Sequence, residues 1–487
     1  MRFSFLISSL ACTTAIALTA CGRVSAPEPY GPLPTPQQVE WQKMEMNFLV
    51  CFGPNTFTGM EWGLGTEAED VFNPSGVDCR QWVSIAKAAG FKGLIIVAKH
   101  HDGFCLWPNP ESTHTVARSP WKDGKGDVLK ELSEACAAEG LKFGIYISPW
   151  DRNDPHYGTP EYNDIYVRTL ESALDGRYGE VFEEWFDGAC GEGPNGKRQE
   201  YDWPRFHETV LKYQPKAVMF SDVGPGCRWV GNERGVAGRT NWSTFSPEGF
   251  APGAGAPPTD TLQSGNVHGN AWVPAESDVP LRPGWFWRES ENDKVKTLEE
   301  LVSIYNTSVG RNSLLLLGVA PDVTGRIHPA DSARLLEFGA ALKEIFSVNL
   351  AEGARVKASA SRGRGFRASN ILDGEYDSFW AAPDGVCEAH LTFDLGTGKT
   401  FNRILLQEYI PLGQRIKSFT VEAQTPTGEW KEIASETTVG FKRIVPVETV
   451  TTSRVRVSVS SYAPPVLNGF GLYMDGRDGA YSPFPGH

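Results

Sequence analysis

The sequence predicts an α/β chain in which a (β/α)8-type barrel precedes an antiparallel β-sandwich. Three observations carry this reading. Between residues 41 and 347, short apolar strand patterns alternate with amphipathic helix patterns, and repeated βα units with short loops imply a parallel sheet. Roughly 300 residues is the size of such a barrel with insertions. Across residues 348–487 the helical period gives way to short alternating runs, such as His390-Leu391-Thr392-Phe393-Asp394-Leu395 and Arg454-Val455-Arg456-Val457-Ser458-Val459. Alternation of this kind marks strands with one buried face, as in a sandwich.

The barrel elements follow in order. Residues 48–52 read as the first strand. Residues 78–89 read as a helix, with Trp82, Ile85, Ala86 and Ala89 on one face and Gly90 as its stop. Leu94-Ile95-Ile96-Val97 is the second strand. Asp127 caps a helix that ends at Gly140, and residues 142–148 form the third strand. A helix over 160–174, a strand over 181–186, a helix over 203–213 and a strand over 217–221 continue the series. The Gly- and Pro-rich stretch 246–269 then obscures the pattern. Gly284-Trp285-Phe286-Trp287 reads as strand seven, and the helix 298–306 with the run Leu314-Leu315-Leu316-Leu317 completes the set.

Residues 1–20 read as a lipoprotein signal peptide. Arg2 is its positive start, Phe3 to Ala17 its apolar run, and Leu18-Thr19-Ala20-Cys21 its small-residue cleavage site. A Cys at that place resembles a bacterial lipobox, so residues 21–40 are expected to be a Pro-rich linker behind a lipid anchor at Cys21. The expected product is an exported bacterial lipoprotein, in the periplasm or at the outer membrane. No later stretch is long and apolar enough to span a bilayer. Lys and Arg total 46 against 59 Asp and Glu, a formal charge of −13, which argues against a nucleic-acid partner. The cysteines beyond Cys21 (Cys51, Cys79, Cys105, Cys136, Cys190, Cys227, Cys387) are odd in number and scattered. They predict neither a disulfide framework nor a zinc site.

Two strand ends carry chemistry. Lys99-His100-His101-Asp102-Gly103-Phe104 closes the second strand pattern, and Glu184-Trp185-Phe186-Asp187-Gly188 closes the fourth. An acidic side chain at the carboxyl end of a barrel strand, with Gly behind it, is how this architecture presents a catalytic carboxylate. Two such clusters point to a glycoside hydrolase site. A retaining glycosidase needs a carboxylate nucleophile and a protonated carboxyl about 5 Å away. Trp185 shares a strand face with Asp187 and can pack beside a sugar.

Taken together, the motifs resemble family 29 of the glycoside hydrolases, the α-L-fucosidases. The resemblance rests on Phe52-Gly53-Pro54-Asn55-Thr56-Phe57-Thr58 with Glu61-Trp62, on the two strand ends above, and on Tyr146-Ile147-Ser148-Pro149-Trp150-Asp151-Arg152-Asn153. Trp229-Val230-Gly231-Asn232-Glu233, Arg282-Pro283-Gly284-Trp285-Phe286-Trp287 and Ser308-Val309-Gly310-Arg311-Asn312 extend it. The form of the second half resembles the subgroup that prefers α1,3- and α1,4-linked fucose. The resemblance implies Asp187 as nucleophile and Glu233 as acid/base, 46 positions later (233 − 187). Glu276 is the rival for the acid. An apolar setting, with Trp229 and Val230 as contributors, would keep Glu233 protonated. The resemblance further implies His100, His101, Glu61, Trp62, Tyr146, Trp185, Arg282 and Trp285 as residues around the sugar. The histidines are expected to donate to its hydroxyls, with strand alternation sending one of the two toward substrate. Phe57, Trp62, Trp185 and Trp285 are candidates for an apolar wall against the fucose methyl.

There is one departure from the family pattern. Cys51 stands where many relatives carry His, and a thiol cannot supply the same hydrogen bond. Two other readings stay open: a glycan-binding lipoprotein without catalysis, and a glycosidase of the same fold with another sugar or linkage. The stretch Asn370-Ile371-Leu372-Asp373-Gly374-Glu375-Tyr376-Asp377-Ser378-Phe379-Trp380 resembles discoidin-type, galactose-binding-like domains. That likeness implies a structural Ca2+ in the loop. No catalytic metal or cofactor is expected, and the partner is a fucosylated oligosaccharide or glycoconjugate.

Overall fold

A computed structural model describes residues 24–477. The signal peptide and Cys21 lie outside the described residues. Eight parallel strands close a barrel: β1 (Met46–Val50), β2 (Gly93–Lys99), β3 (Lys142–Ile147), β4 (Val181–Trp185), β5 (Val218–Ser221), β6 (Cys227–Trp229), β7 (Ala275–Pro280) and β8 (Ser313–Val319). Their order around the barrel is β1-β8-β7-β6-β5-β4-β3-β2. β1 pairs with β2 and with β8, with Asn47 opposite Gly93 and Leu316. β2 and β8 are buried along their whole length, which suits continuous Leu, Ile and Val runs covered on both faces.

The helices form where their caps and apolar stripes predict. Asp78 accepts from Gln81 N at 3.0 Å ahead of the helix Cys79–Ala88, and Asp127 accepts from Lys130 N at 2.9 Å ahead of Val128–Glu139. Gly140 stops the second of these with φ 72°, a backbone that glycine adopts without strain. Helices Pro160–Leu174, Trp203–Tyr213, Leu298–Thr307 and Pro329–Ile345 follow β3, β4, β7 and β8.

The structure corrects the sequence in the second half of the barrel. Residues 284–287 are a loop, and the seventh strand is Ala275–Pro280. Its inward residues are polar, Glu276 and Asp278, so its pattern does not read as a buried strand. β6 is only three residues long and follows β5 after a five-residue link, residues 222–226, too short for a crossover helix. The insertion 230–274 contributes the short helix Thr259–Ser264 and a two-stranded ribbon pairing Thr244 with Trp272.

The sandwich comprises β9 (Arg355–Ala358), β10 (Trp380–Ala381), β11 (Glu388–Glu408), β12 (Ile416–Gln424), β13 (Trp430–Glu436), β14 (Arg443–Ser461) and β15 (Val466–Tyr473). They run antiparallel in the order β10-β15-β11-β14-β12-β13, with β9 beside β11. Register shifts between Asp394 and Lys399 and between Phe401 and Arg403 bend the long β11. The enclosed core contains Trp380, Leu391, Phe393, Phe401, Val457 and Phe470, with Phe393 and Phe470 stacked at 3.9 Å. The loop expected to hold Ca2+ is tied by protein donors. Glu375 N and Ser378 Oγ donate to the two oxygens of Asp373, and Tyr409 Oη donates to Asp377 Oδ1.

Barrel and sandwich share a polar seam and an apolar one. Asn312, at the start of β8 with φ 57°, accepts from Phe441 N at 2.7 Å through Oδ1 and donates to Asn241 O at 3.1 Å. Thr438 Oγ1 accepts from Asn241 N, and Gln414 Oε1 accepts from Ser243 N at 2.7 Å. Leu405 and Ile444 of the sandwich belong to the apolar cluster outside the barrel strands. Residues 24–35, within the expected linker, lie along the sandwich as a strap. Tyr30 N donates to Leu412 O at 3.0 Å, Arg362 Nε donates to Ser25 O at 2.7 Å, and Tyr30 stacks on Tyr462. The next helix, Pro36–Met44, closes the amino end of the barrel with Trp41.

Candidate active site

The carboxyl ends of the strands build one pocket. Leu49, Cys51, Glu61, Trp62, Val97, His100, His101, Tyr146, Trp185, Asp187, Glu233, Asp278, Trp285 and Phe286 line it. A register irregularity between β3 and β4 sets the phase of the fourth strand, where Phe143 pairs with Val181 but Ile145 pairs with Glu184. The extra residue turns Phe182 and Glu183 both inward, after which Trp185 and Asp187 alternate to the same side.

Asp187 is held from two sides. Tyr146 Oη donates to its Oδ2 at 2.8 Å and Ala189 N donates to Oδ1 at 2.7 Å. Burial, then the charge of Asp187, keeps the Tyr146 hydroxyl protonated well above its ordinary range, so it stays a donor. Tyr146 stacks on Trp185 with ring centroids 5.0 Å apart, and Trp185 stacks on Phe220 at 3.9 Å. Glu233 reaches the pocket from the loop after β6, where Trp285 Nε1 donates to its Oε2 at 3.2 Å. Burial raises the Glu233 carboxyl above the usual range, and the charges of Asp187 and Glu61 add to the effect. The neighbour that touches it is Trp285. Trp229 instead donates from Nε1 to Asp278 Oδ1 at 2.9 Å, and Val230 packs with Ala237 and Ala275.

Both histidines line the pocket, contrary to the alternation argument. β2 ends at Lys99, so His100 and His101 sit in the turn beyond it, where the two-residue period no longer applies, and their rings lie 4.1 Å apart. Burial, then the other positive or imidazole groups nearby, depresses both. His101 falls to about 3, with Lys99 as its second cause, and His100 falls well below its ordinary value, so both are neutral. Ser148 Oγ donates its single proton to Trp150 O at 2.9 Å. The 2.8 Å contact between Ser148 Oγ and His101 Nδ1 is then a bond that the imidazole donates. This tautomer leaves His101 Nε2, 3.7 Å from Asp187 Oδ2, as an acceptor for a hydroxyl rather than the expected donor.

Glu61 is fixed by Trp285 N, which donates to Oε1 at 2.6 Å, and by an ion pair with Arg288. Trp62 stands at the mouth, 52% exposed, edge-on to His101 and Trp150 at 5.8 and 5.5 Å. Three of the expected aromatics, Trp62, Trp185 and Trp285, form the wall. Phe57 does not, because it packs outside with Phe52 and Phe72.

Other placements differ from expectation. Arg282 is 1% exposed and ion-paired with Asp331 at 2.8 Å, so it braces the barrel wall and does not line the pocket. Glu276, the rival for the acid, lies inside β7, fully buried beneath Trp185. Asp278 and Phe286 line the pocket unforeseen, and the inward period of β7 would have located Asp278 had that strand been recognised. Cys51 occupies the wall, where burial pushes its thiol well up and keeps it neutral.

Comparison with known proteins agrees with this geometry. The Alpha-L-fucosidase family model matches residues 30–345, and the F5/8 type C domain model matches residues 355–474. Alpha-L-fucosidase 1 of Arabidopsis thaliana is 43% identical over 461 residues, covering 93% of this chain and 90% of that protein. Plasma alpha-L-fucosidase of Homo sapiens is 25% identical over 321 residues, 62% of this chain and 61% of that one. Among solved structures, SpGH29 is similar at a TM-score of 0.87 with 38% identity, covering 92% of this chain and 99% of that one. A Ruminococcus gnavus GH29 fucosidase in complex with fucose reaches 0.86 with 32% identity, over 94% of this chain and 98% of its own. The chain belongs to the alpha-L-fucosidase family, glycoside hydrolase family 29, with an F5/8 type C domain behind its barrel.

Proposed function

We propose that this chain is a retaining exo-α-L-fucosidase that removes terminal α1,3/4-linked fucose, with Asp187 as nucleophile and Glu233 as acid/base. The observation that carries the reading is the contrast between two carboxyls in one pocket. Asp187 is held at the end of β4 by two hydrogen bonds that it accepts, whereas burial and two neighbouring carboxylates favour the protonated form of Glu233.

An Asp187 oxygen attacks the anomeric carbon while the glycosidic C–O bond breaks and the Glu233 proton passes to the departing oxygen. Glu233, now a carboxylate, takes a proton from water as that water attacks the fucosyl ester and frees Asp187. Each displacement inverts the anomeric carbon, so the product retains configuration. His101 Nε2 accepts from one sugar hydroxyl. Trp62, Trp185, Trp285 and Phe286 supply apolar surface for a methyl-bearing ring. The motifs around Glu233 and Trp285 support the α1,3/4 preference, which a product assay on trisaccharides carrying α1,2, α1,3 or α1,4 fucose tests.

The roles are tested with Glu233→Ala. Its activity should fall far more on a natural oligosaccharide than on an activated aryl fucoside, whose leaving group needs no proton. Azide should accelerate the second step and yield the α-fucosyl azide. An equal loss on both substrates, without azide product, would remove Glu233 from the acid role. The leader that ends just before Cys21 supports export and lipid attachment. Detergent-phase partition that disappears in Cys21→Ser checks it.

A further inference from the structure

Below the pocket, the barrel interior holds acidic groups that the hydrolytic steps do not use. Glu183 of β4 and Glu276 of β7 are fully buried, and with Cys227 of β6 they bring carboxylate and thiol atoms within 4.8 Å of one another. Trp41 Nε1 donates to Glu183 Oε2 at 2.7 Å from the amino end of the barrel. Trp185 Nε1 donates to Glu276 Oε1 at 2.8 Å from the pocket side. The Cys227 thiol points to Glu183 Oε1 at 3.7 Å, and Glu276 Oε2 has no protein donor. Phe182, Val218, Leu314 and Leu316 surround the group. Two ionised carboxylates in contact within such an interior need a proton or a cation between them.

We propose that Glu183 and Glu276 share one proton, carried on Glu276 Oε2 and donated to Glu183, and that this pair positions Trp185 beneath the sugar. The otherwise unpartnered Oε2 then becomes the donor of a bond instead of a stranded acceptor. The direction of sharing follows from the donors present: both Glu183 oxygens already accept, from Trp41 and from Cys227, whereas Glu276 Oε2 accepts from none, and burial raises both carboxyls toward the protonated form. Both carboxyls already commit one oxygen to an indole N–H, which favours a proton over a metal as the bridge.

The consequence reaches the nucleophile through contacts already described. Glu276 Oε1 fixes the plane of Trp185 by its one polar atom. Trp185 stacks on Tyr146, and Tyr146 donates to Asp187. Glu276 touches no substrate, so it is a positioning residue. The kinetic part of this inference rests on Asp187 as nucleophile, whereas the shared proton does not.

Infrared difference spectroscopy tests the proton directly. At neutral pH the wild type should show the carbonyl stretch of a buried carboxylic acid, shifted in heavy water and lost in Glu276→Gln. Kinetics on an aryl fucoside tests the positioning. Glu276→Leu should lower kcat/KM by at least about tenfold, mainly in kcat. Glu276→Gln can accept from Trp185 through its carbonyl and donate to Glu183 through its amide, so it should recover to within about threefold of wild type. The proposal is overturned if the acid band is missing, if Gln is as damaging as Leu, or if purified enzyme carries a stoichiometric transition metal. Should Glu276→Leu fail to fold, the infrared comparison of wild type and Glu276→Gln decides. An active Asp187→Ala variant would overturn the catalytic assignment and leave the infrared result standing.

Discussion

Trp285 links the two carboxyls of the fucosidase pocket to one indole and its backbone: its N–H reaches Glu233 from the side chain and Glu61 from the main chain. The Nε1–H bond favours the ionised form of Glu233, against the burial that disfavours it. Trp285→Phe keeps the apolar face but removes that bond, so the Glu233 carboxyl should titrate higher. A higher value keeps the acid protonated to higher pH. The basic limb of the kcat/KM profile should therefore move upward in pH, whatever the variant does to the maximum, and a downward move would contradict the assignment. Most of the pocket was legible in the sequence because its residues follow strand ends with distinctive neighbours: His100-His101 after β2, Tyr146 within β3, Asp187 after β4. Arg282 and Phe57 were misplaced for a shared reason. Each sits a few residues from a true pocket residue, and the local backbone turns it away into an ion pair or an aromatic cluster that no spacing rule reveals. The His101 tautomer needed the position of Ser148, which lies 47 residues away in the chain.

At the level of elements, the first five strands were legible because they are short, largely apolar runs separated by helix patterns. β6 and β7 were not. One is three residues long, and the other carries Glu276 and Asp278 on its inward face, so neither announces itself by hydrophobicity. The loop that follows β7 is anchored to the last barrel helix by the buried pair of Arg282 and Asp331, with Arg282 also donating to Asn292 Oδ1 at 3.0 Å. Arg282→Ala would leave a buried carboxylate without its partner, a loss on the order of 3–5 kcal/mol. Denaturant titration should show that loss as a lower midpoint, while KM for an aryl fucoside at low temperature stays within about threefold. A large rise in KM with unchanged stability would instead return Arg282 to the substrate.

Across the whole molecule, the succession of barrel and sandwich was readable from texture alone, but the strength of their junction was not. The seam closes through pairs far apart in sequence, such as Asn241 with Thr438, 197 residues away, and Arg239 with Glu436. A chain ending at Phe346 would expose the apolar surface that Leu405 and Ile444 cover and would leave Asn241 N, Ser243 N and Asn312 Oδ1 without partners. That truncation should accumulate as insoluble protein, and a soluble, active product would show that the seam is dispensable.

The strap formed by residues 24–35 gives the molecule a mechanical arrangement. The chain enters along the sandwich, runs out to build the barrel, and returns to finish in β15, so both described ends are fastened to the same module. Tension drawn through residue 24 is resisted first where Tyr30 bonds Leu412 and where Arg362 grips Ser25, in the all-β part of the protein. The pocket lies beyond those fastenings along the chain. A pull on the amino end therefore peels the strap from the sandwich before any load reaches the strand ends that hold Asp187 and Glu233.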